Sequence, residues 1–171
     1  AEVITNVASV QNKGLEVVLN WKDQLSSNLT YTISGNVTFN NNKVVALNGG
    51  QNLLDGGIGA AQGFVTNTDN GQPVGSFYVL KVLGVFNSDA EVEGYKNSAG
   101  KVIQETAKAG DFKYLDKNGD GQIDDRDKVF AGSYQPIAYF GLNFGLNYKH
   151  WDFALSIYGN VGNKVYNGKK A

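Results

Sequence analysis

The 171-residue chain contains no cysteine, no methionine, one histidine and two prolines. Without cysteine there is no disulfide framework, no thiol nucleophile and no zinc–thiolate site. With His150 as the single imidazole, any site that needs two histidines is excluded. An excess of charge is missing too, because 15 basic residues stand against 16 acidic ones. A nucleic-acid surface would show a basic stripe, so no nucleic acid is expected among the partners. The opening AEVITNVASV has no initiator methionine and no signal peptide. Nowhere is there the apolar run of about 20 residues that a membrane helix needs. These absences lead us to expect an internal or processed piece of a longer protein. Few prolines beside 22 glycines and many asparagines favour an extended, turn-rich, all-β chain of one domain's length.

What is present is alternation. Leu15, Val17, Leu19 and Trp21 oppose Glu16, Val18, Asn20 and Lys22. Leu29, Tyr31, Ile33, Gly35, Val37 and Phe39 oppose Thr30, Thr32, Ser34, Asn36, Thr38 and Asn40. Ala138, Phe140, Leu142, Phe144, Leu146 and Tyr148 oppose Tyr139, Gly141, Asn143, Gly145 and Asn147. Trp151, Phe153, Leu155 and Ile157 oppose Asp152, Ala154, Ser156, Tyr158 and Asn160. Successive side chains of a strand point to opposite faces, so each segment has one apolar and one polar side.

The connections are lopsided. KDQLSSN links the first two segments and Lys149–His150 the last two, whereas about ninety residues, from Val45 to Gln135, separate the pairs. Tight turns at one end and a long connection at the other suit strands crossing a slab, as in outer-membrane barrels with short periplasmic turns and long extracellular loops. Within the insert, short strands are predicted at 76–86 and a weak helix around Ser88–Tyr95. Trp21, Tyr148 and Trp151 fall beside the short turns on the apolar face, where an interfacial aromatic girdle would sit. The opposite face is rich in Gly, Asn, Ser and Thr, which suits a wet lumen. Four strands cannot close a membrane barrel, whose smallest examples have about eight, so the chain is either a share of a larger barrel, which is expected, or part of an oligomer.

One stretch of the insert has the spacing of a calcium loop, DKNGDGQIDDRD at 116–127. Asp116, Asn118 and Asp120 fall at positions 1, 3 and 5, with Gly121 at the sharp turn of position 6. Gln122 would offer its backbone carbonyl at position 7, Ile123 anchors position 8, Asp124 occupies position 9 and Asp127 closes the set at position 12. An ordinary EF-hand closes with glutamate rather than the shorter aspartate. Oxygen ligands at this spacing suit calcium better than magnesium, which keeps more of its waters. Asp116, Asp120, Asp124, Asp125 and Asp127 crowd against only Lys117 and Arg126, which is costly unless a cation or solvent relieves it. The alternative is an Asp/Asn/Gly-rich turn that binds no ion.

Other motifs carry less. GGIGAAQG (56–63) resembles a phosphate-cradling loop but lacks the strand before and the helix after. Asn28-Leu-Thr and Asn36-Val-Thr match the glycosylation sequon inside a predicted strand. His150 reads as a solvated turn residue. Asp111 and the loop aspartates suggest an acid–base pair for glycoside hydrolysis, but with no apolar pocket to raise a carboxyl pKa they read better as metal ligands. No enzyme is expected.

Four blocks carry a resemblance. NKGLEVVLNW (12–21) with NNNKV (40–44), GQPVGSFYVLKVLGVF (71–86) and AGDFKYLDKNGDGQIDDRD (109–127) are similar, in order, to late-barrel segments of SusC/RagA-like TonB-dependent transporters of Bacteroidota. AGSYQPIAYFGLNFGLNYKHWDFALSIYGNVGNKVYN (131–167) resembles their closing strand–turn–strand. Ala109 departs from the family's usual proline, and residues 45–70 match poorly. The resemblance implies an all-β, antiparallel part of a transmembrane barrel of about 22 strands in the bacterial outer membrane. It further implies import of oligosaccharides or peptides with a SusD-like surface lipoprotein, driven through TonB by a segment N-terminal to this chain. Residues 1–44 and 136–171 would then each supply two wall strands facing outer-membrane lipid, and 45–135 an extracellular loop braced by a structural Ca2+. A second reading is a secreted soluble β-sandwich, carbohydrate-binding or adhesive, stabilised by calcium.

Overall fold

The computed structural model describes residues 8–47, 53–59 and 63–167. In chain order the strands are β1 (Ala8–Ser26), β2 (Leu29–Leu47), β3 (Leu53–Gly59), β4 (Gly63–Thr68), β5 (Ser76–Leu80) and β6 (Val82–Val85), followed by β7 (Phe112–Tyr114), β8 (Lys128–Gly132), β9 (Ala138–Tyr148) and β10 (Trp151–Val161). A short helix, α1 (Asp89–Gly94), lies between β6 and β7 in the chain, and a single 3-10 turn spans Asp125–Asp127. The chain divides into two compact units, one built on the four long strands with residues 68–75, the other on 54–67 and 76–132.

The first unit is an antiparallel sheet in the order β1-β2-β9-β10. Two tight turns close one end of it, at 27–28 and 149–150, and the Lys149 amide donates to the Asn28 carbonyl at 3.0 Å, tying the turns together. Lys149 itself adopts φ 54°, the left-handed conformation that a two-residue hairpin turn demands. KDQLSSN is not a loop. β1 runs on to Ser26, pairing Lys22 with Thr32, Asp23 with Tyr31 and Gln24 with Thr30, and a bulge between Gln24 and Ser26 takes up the odd residue. At the far end β2 continues to Leu47, where the Val44 amide donates to the Gln72 carbonyl and the Val74 amide to Asn42 Oδ1.

The register merges the four alternations into one pattern. Trp21, Ile33, Phe144 and Leu155 form one cross-strand row, and Leu19, Gly35, Leu142 and Ile157 the next but one. Between them runs Asn20, Ser34, Asn143 and Ser156, on the other face. In that polar row Ser34 Oγ donates to Asn20 Oδ1 at 2.5 Å and Ser156 Oγ to Asn143 Oδ1 at 2.8 Å. Glycines on the polar face let neighbours lean across: a Cβ at Gly145 would stand 2.6 Å from Thr32 Oγ1. On the apolar face Gly159 leaves room for the Phe140 ring, whose Cζ would be 2.6 Å from a Cβ there.

In the second unit, β3-β4-β5-β8 form one sheet and β6 pairs with β7. The short strands predicted at 76–86 are two, parted at Lys81, whose carbonyl accepts from the Leu115 amide. The predicted helix is present. Ser88 caps it by accepting from the Glu91 amide at 3.2 Å, and Glu91 in turn accepts from the Asn87 amide at 2.9 Å, so the start of the helix is satisfied from both sides. Val92 is its buried residue, and Phe86, three residues before its start, is buried as well. Lys113 of β7 pins the helix through a 3.2 Å ion pair to Glu91 and lies 4.5 Å from the Tyr95 ring centroid. The Asn87 hydrogen bond, with Lys113 second, holds the Glu91 carboxyl below the usual range. Ala109 uses the amide hydrogen that a proline would lack, donating to Asp89 Oδ1 at 3.0 Å. The departure from the family pattern therefore ties residue 109 to α1. Of GGIGAAQG, residues 56–59 are in β3 and 60–62 lie outside the described residues.

Candidate functional site

Two features carry chemistry, a one-sided apolar sheet and an acidic loop. The apolar side of the sheet runs from the turn row Leu29–Tyr148–Trp151 to the row Leu15–Phe39–Ala138–Val161. Ten steps along tilted strands correspond to about 25 Å of height, the thickness of the apolar band on membrane barrels. β9 and β10 have 11 residues each, matching the roughly 9–11 that a tilted transmembrane strand requires. Leu19 is 72 % exposed and Trp151 79 %, whereas the inner sheet of a sandwich would bury such residues. At the turn end, Trp21 donates its indole N–H to the Tyr31 hydroxyl at 3.1 Å, close to Tyr148 and Trp151 in the register. These rings share a polar edge and an apolar body, as suits a water–hydrocarbon boundary. No helix among the described residues is long and apolar enough to cross a membrane.

The acidic loop is organised by its aspartates as hydrogen-bond acceptors. Asp116 accepts from the amides of Gly119 at 2.7 Å and Gly121 at 2.9 Å. Asp120 accepts from the Gln122 amide and Asn118 from the Asp120 amide, both at 2.9 Å. Asp127 is fully buried, and both of its oxygens are used. One accepts from the Lys117 and Asn118 amides at 2.9 and 3.3 Å, the other from the Asp124 amide at 2.9 Å. Asp124 caps the 3-10 turn by accepting from the Arg126 amide at 2.8 Å. Gly119 and Gly121 both sit at φ 77°, where a side chain would be strained.

Asn97 was not evident from the motif. Its amide donates to the Gly119 carbonyl at 3.1 Å while its oxygen accepts from the Ala99 and Lys101 amides. A Cβ on Gly121 would come within 2.9 Å of it, so position 6 needs glycine for space as well as for φ. The Asn97…Gly100 spacing of a type I turn was the available signal. Beside this segment a groove of about 630 Å³ opens, lined by Gln104, Asp111, Phe112, Gln122 and Ile123 among others.

The donor set Asp116, Asn118, Asp120, Gln122, Asp124 and Asp127 is all oxygen, in the order calcium loops use. Its carboxylates do not converge. Among the described residues no three acidic or histidine side chains gather closely enough to hold a metal ion. Arg126 intervenes: its terminal nitrogen lies 2.7 Å from Asp120 Oδ2 and 2.6 Å from Asp124 Oδ2. Hydrogen bonds from the guanidinium hold the Asp124 carboxyl below the usual carboxylate range, and raise the affinity of Arg126 for its proton. The remaining candidates have plain roles. Asp111 accepts from the Lys108 amide in a turn, His150 is exposed in a hairpin turn, Asn28 lies in the other turn and Asn36 within β2.

A four-stranded, antiparallel, one-sidedly apolar sheet with strands of membrane-crossing length defines part of a large transmembrane β-barrel. The comparisons specify which kind. The chain is 33 % identical over 165 residues to TonB-dependent receptor P26 of Formosa agariphila, covering 96 % of this chain and 16 % of that protein. It is 27 % identical over 172 residues to TonB-dependent receptor SusC of Bacteroides thetaiotaomicron, covering 97 % of the chain and 15 % of the relative. In structure, 92 % of the chain superposes on 16 % of a chain of the RagAB peptide transporter, with TM-score 0.64 and 17 % identity. No family model matches. The chain is thus homologous to a segment of SusC-like TonB-dependent receptors, as its motifs led us to expect, and spans about a sixth of the length of the curated relatives it matches. Both curated relatives are named as receptors and neither as an enzyme, in line with the expectation of no enzyme.

Proposed function

We propose that this chain forms part of the wall and an external loop of a TonB-dependent transporter in the bacterial outer membrane. The protein imports oligosaccharides or peptides with a SusD-like lipoprotein over its mouth, and draws energy through TonB. The observation that carries this reading is the continuous apolar face of β1-β2-β9-β10, lined with aromatics beside the two tight turns. The likeness to a chain of the RagAB peptide transporter supports a peptide among the cargo classes, and the motif resemblance of 71–86 and 109–127 supports the oligosaccharide alternative and the partner lipoprotein. The test uses the lack of native cysteine in this chain. Single cysteines at Leu142 and Phe144 of the intact protein in liposomes should resist a membrane-impermeant, water-phase maleimide, because the thiolate it attacks does not form in hydrocarbon. Cysteines at Asn143 and Asn147 should show the reverse. Equal reactivity of the two sets would overturn the reading.

We propose further that the 116–127 loop holds one structural calcium ion, through Asp116, Asn118, Asp120, the Gln122 carbonyl, Asp124 and Asp127. The all-oxygen donor order, the two left-handed glycines and the buried Asp127 carboxylate support this. Calcium would supply positive charge to a crowded anionic loop, fixing the surface beside the groove so that less ordering entropy is lost when a partner docks. Calorimetric titration of the intact protein in detergent is expected to count one site fewer for Asp116→Asn than for wild type. An unchanged count would overturn the assignment.

A further inference from the structure

The turn end of the long sheet carries a cation without an anion. On the apolar side, the row beside the turns is Leu29, Tyr148 and Trp151, and the next is Asp23, Tyr31, Leu146 and Phe153. Lys149 lies in the hairpin turn, its amide fixed to the Asn28 carbonyl, and its ammonium nitrogen is 5.4 Å from the centroid of the Tyr148 ring. Such a contact lays the aliphatic stem along an apolar ring and keeps the charge at the edge of the water. Among the described residues no carboxylate pairs with Lys149. Asp152 stands opposite Asn147 on the polar side. Asp23 is on the apolar side but belongs to β1, which β2 separates from β9, and it accepts from the Gln24 amide at 2.7 Å.

A second donor lies next to the first. The indole N–H of Trp21 is taken by the Tyr31 hydroxyl at 3.1 Å. That of Trp151, which is 79 % exposed and directly opposite Tyr148, has no protein acceptor among the described residues. Both donors stand at the margin of the lipid-facing band, where tryptophan and tyrosine rings settle at headgroup depth. The acceptors that a membrane offers at that depth are the phosphate oxygens of its lipids.

We propose that Lys149 and Trp151 form a phospholipid subsite, in which the ammonium and the indole N–H grip one headgroup phosphate above the Tyr148 ring. The proposal rests on the barrel reading above and adds a particular lipid contact to it. An anionic headgroup such as phosphatidylglycerol suits the subsite better than phosphatidylcholine, whose own trimethylammonium competes with Lys149 for the phosphate.

The experiment is lysine acylation by a water-soluble succinimidyl ester on the intact protein in lipid nanodiscs, resolved residue by residue through peptide mass spectrometry. Discs of phosphatidylcholine alone are compared with discs of phosphatidylcholine and phosphatidylglycerol in equal parts. A phosphate seated on the ammonium shields it from the reagent. Lys149 should therefore label about fivefold more slowly in the anionic discs, and Lys22 should change by less than about twofold. Lys22 is the internal control, since it pairs with Thr32 on the polar side near the same end of the sheet. Trp151→Phe keeps a ring and loses the donor, and should cut the slowing at Lys149 to about twofold. No slowing of Lys149, or equal slowing of Lys149 and Lys22 in a diffuse surface field, would overturn the subsite. Slowing by inorganic phosphate in phosphatidylcholine discs, to the same extent, would overturn a lipid as the source of the phosphate. Full slowing in Trp151→Phe would overturn the part given to the indole. Where cysteines at Leu142 and Phe144 resist the water-phase maleimide in the same discs, each of these failures falls on the subsite and leaves the barrel reading standing.

Discussion

Replacing Asp127 by alanine is expected to speed hydrogen exchange of the Lys117, Asn118 and Asp124 amides by at least about a hundredfold in the intact protein. One carboxylate, without exposed surface, accepts from all three of these amides. Alanine leaves three donors without their acceptor in a place water reaches poorly, at a cost of about 3–5 kcal/mol even after partial relaxation. Asparagine keeps one oxygen, enough for the Lys117 and Asn118 amides, and turns a donor toward Asp124, so its cost should be smaller, about 1–3 kcal/mol. Mass-resolved exchange in chelator checks the order, because there the carboxylate can act only as an acceptor of hydrogen bonds. If alanine and asparagine exchange alike, and like wild type, the aspartate is not the hub of the loop. Adding calcium should widen the gap between wild type and both variants, since the same oxygens would then also hold the ion.

The two hairpins and the loop were legible for different reasons. β9 runs from Ala138 to Tyr148, as its alternation predicts, because each of its positions differs in polarity from the next. β1 was harder to read. Lys22, Asp23, Gln24 and Ser26 look like a linker, yet each pairs with β2, because backbone pairing next to a tight turn tolerates polar side chains where the sheet leaves its apolar zone. The loop's order of acceptors was readable because an aspartate or asparagine that accepts from an amide two or three residues on is a local, sequence-fixed contact. The grip of Arg126 was not, since two rotamers and two carboxylates decide it. Nor was Asn97, which reaches Gly119 from 22 residues earlier in the chain. The helix at 89–94 shows the intermediate case: Ser88 and Glu91 announce its start, but Lys113, which pins it, comes from a strand the periodicity barely marks.

The largest effect on assembly should come from Leu142→Arg. Leu142 lies near the middle of β9, in register with Gly35 and Ile157, on the face that carries Trp21, Phe144 and Phe153. At the hydrocarbon midplane an arginine on the lipid side of a barrel costs about 2–4 kcal/mol, and the short reach of a central position gives it little chance to snorkel to water. One residue on, Asn143 pairs with Ser34 and Ser156 on the opposite face and accepts from the Ser156 hydroxyl at 2.8 Å. Asn143→Arg puts the same charge into a hydrated row and gives up one neutral hydrogen bond, about 1 kcal/mol. Folded, heat-modifiable protein in outer-membrane fractions should therefore fall by roughly tenfold or more for Leu142→Arg, and less than about fivefold for Asn143→Arg. Because the two positions are adjacent on one strand, strand propensity and local backbone stay constant, and only the solvent each side chain meets differs. Equal losses would mean that both faces meet the same medium, as in a soluble sheet, and the reverse order would put lipid against the Asn143 face.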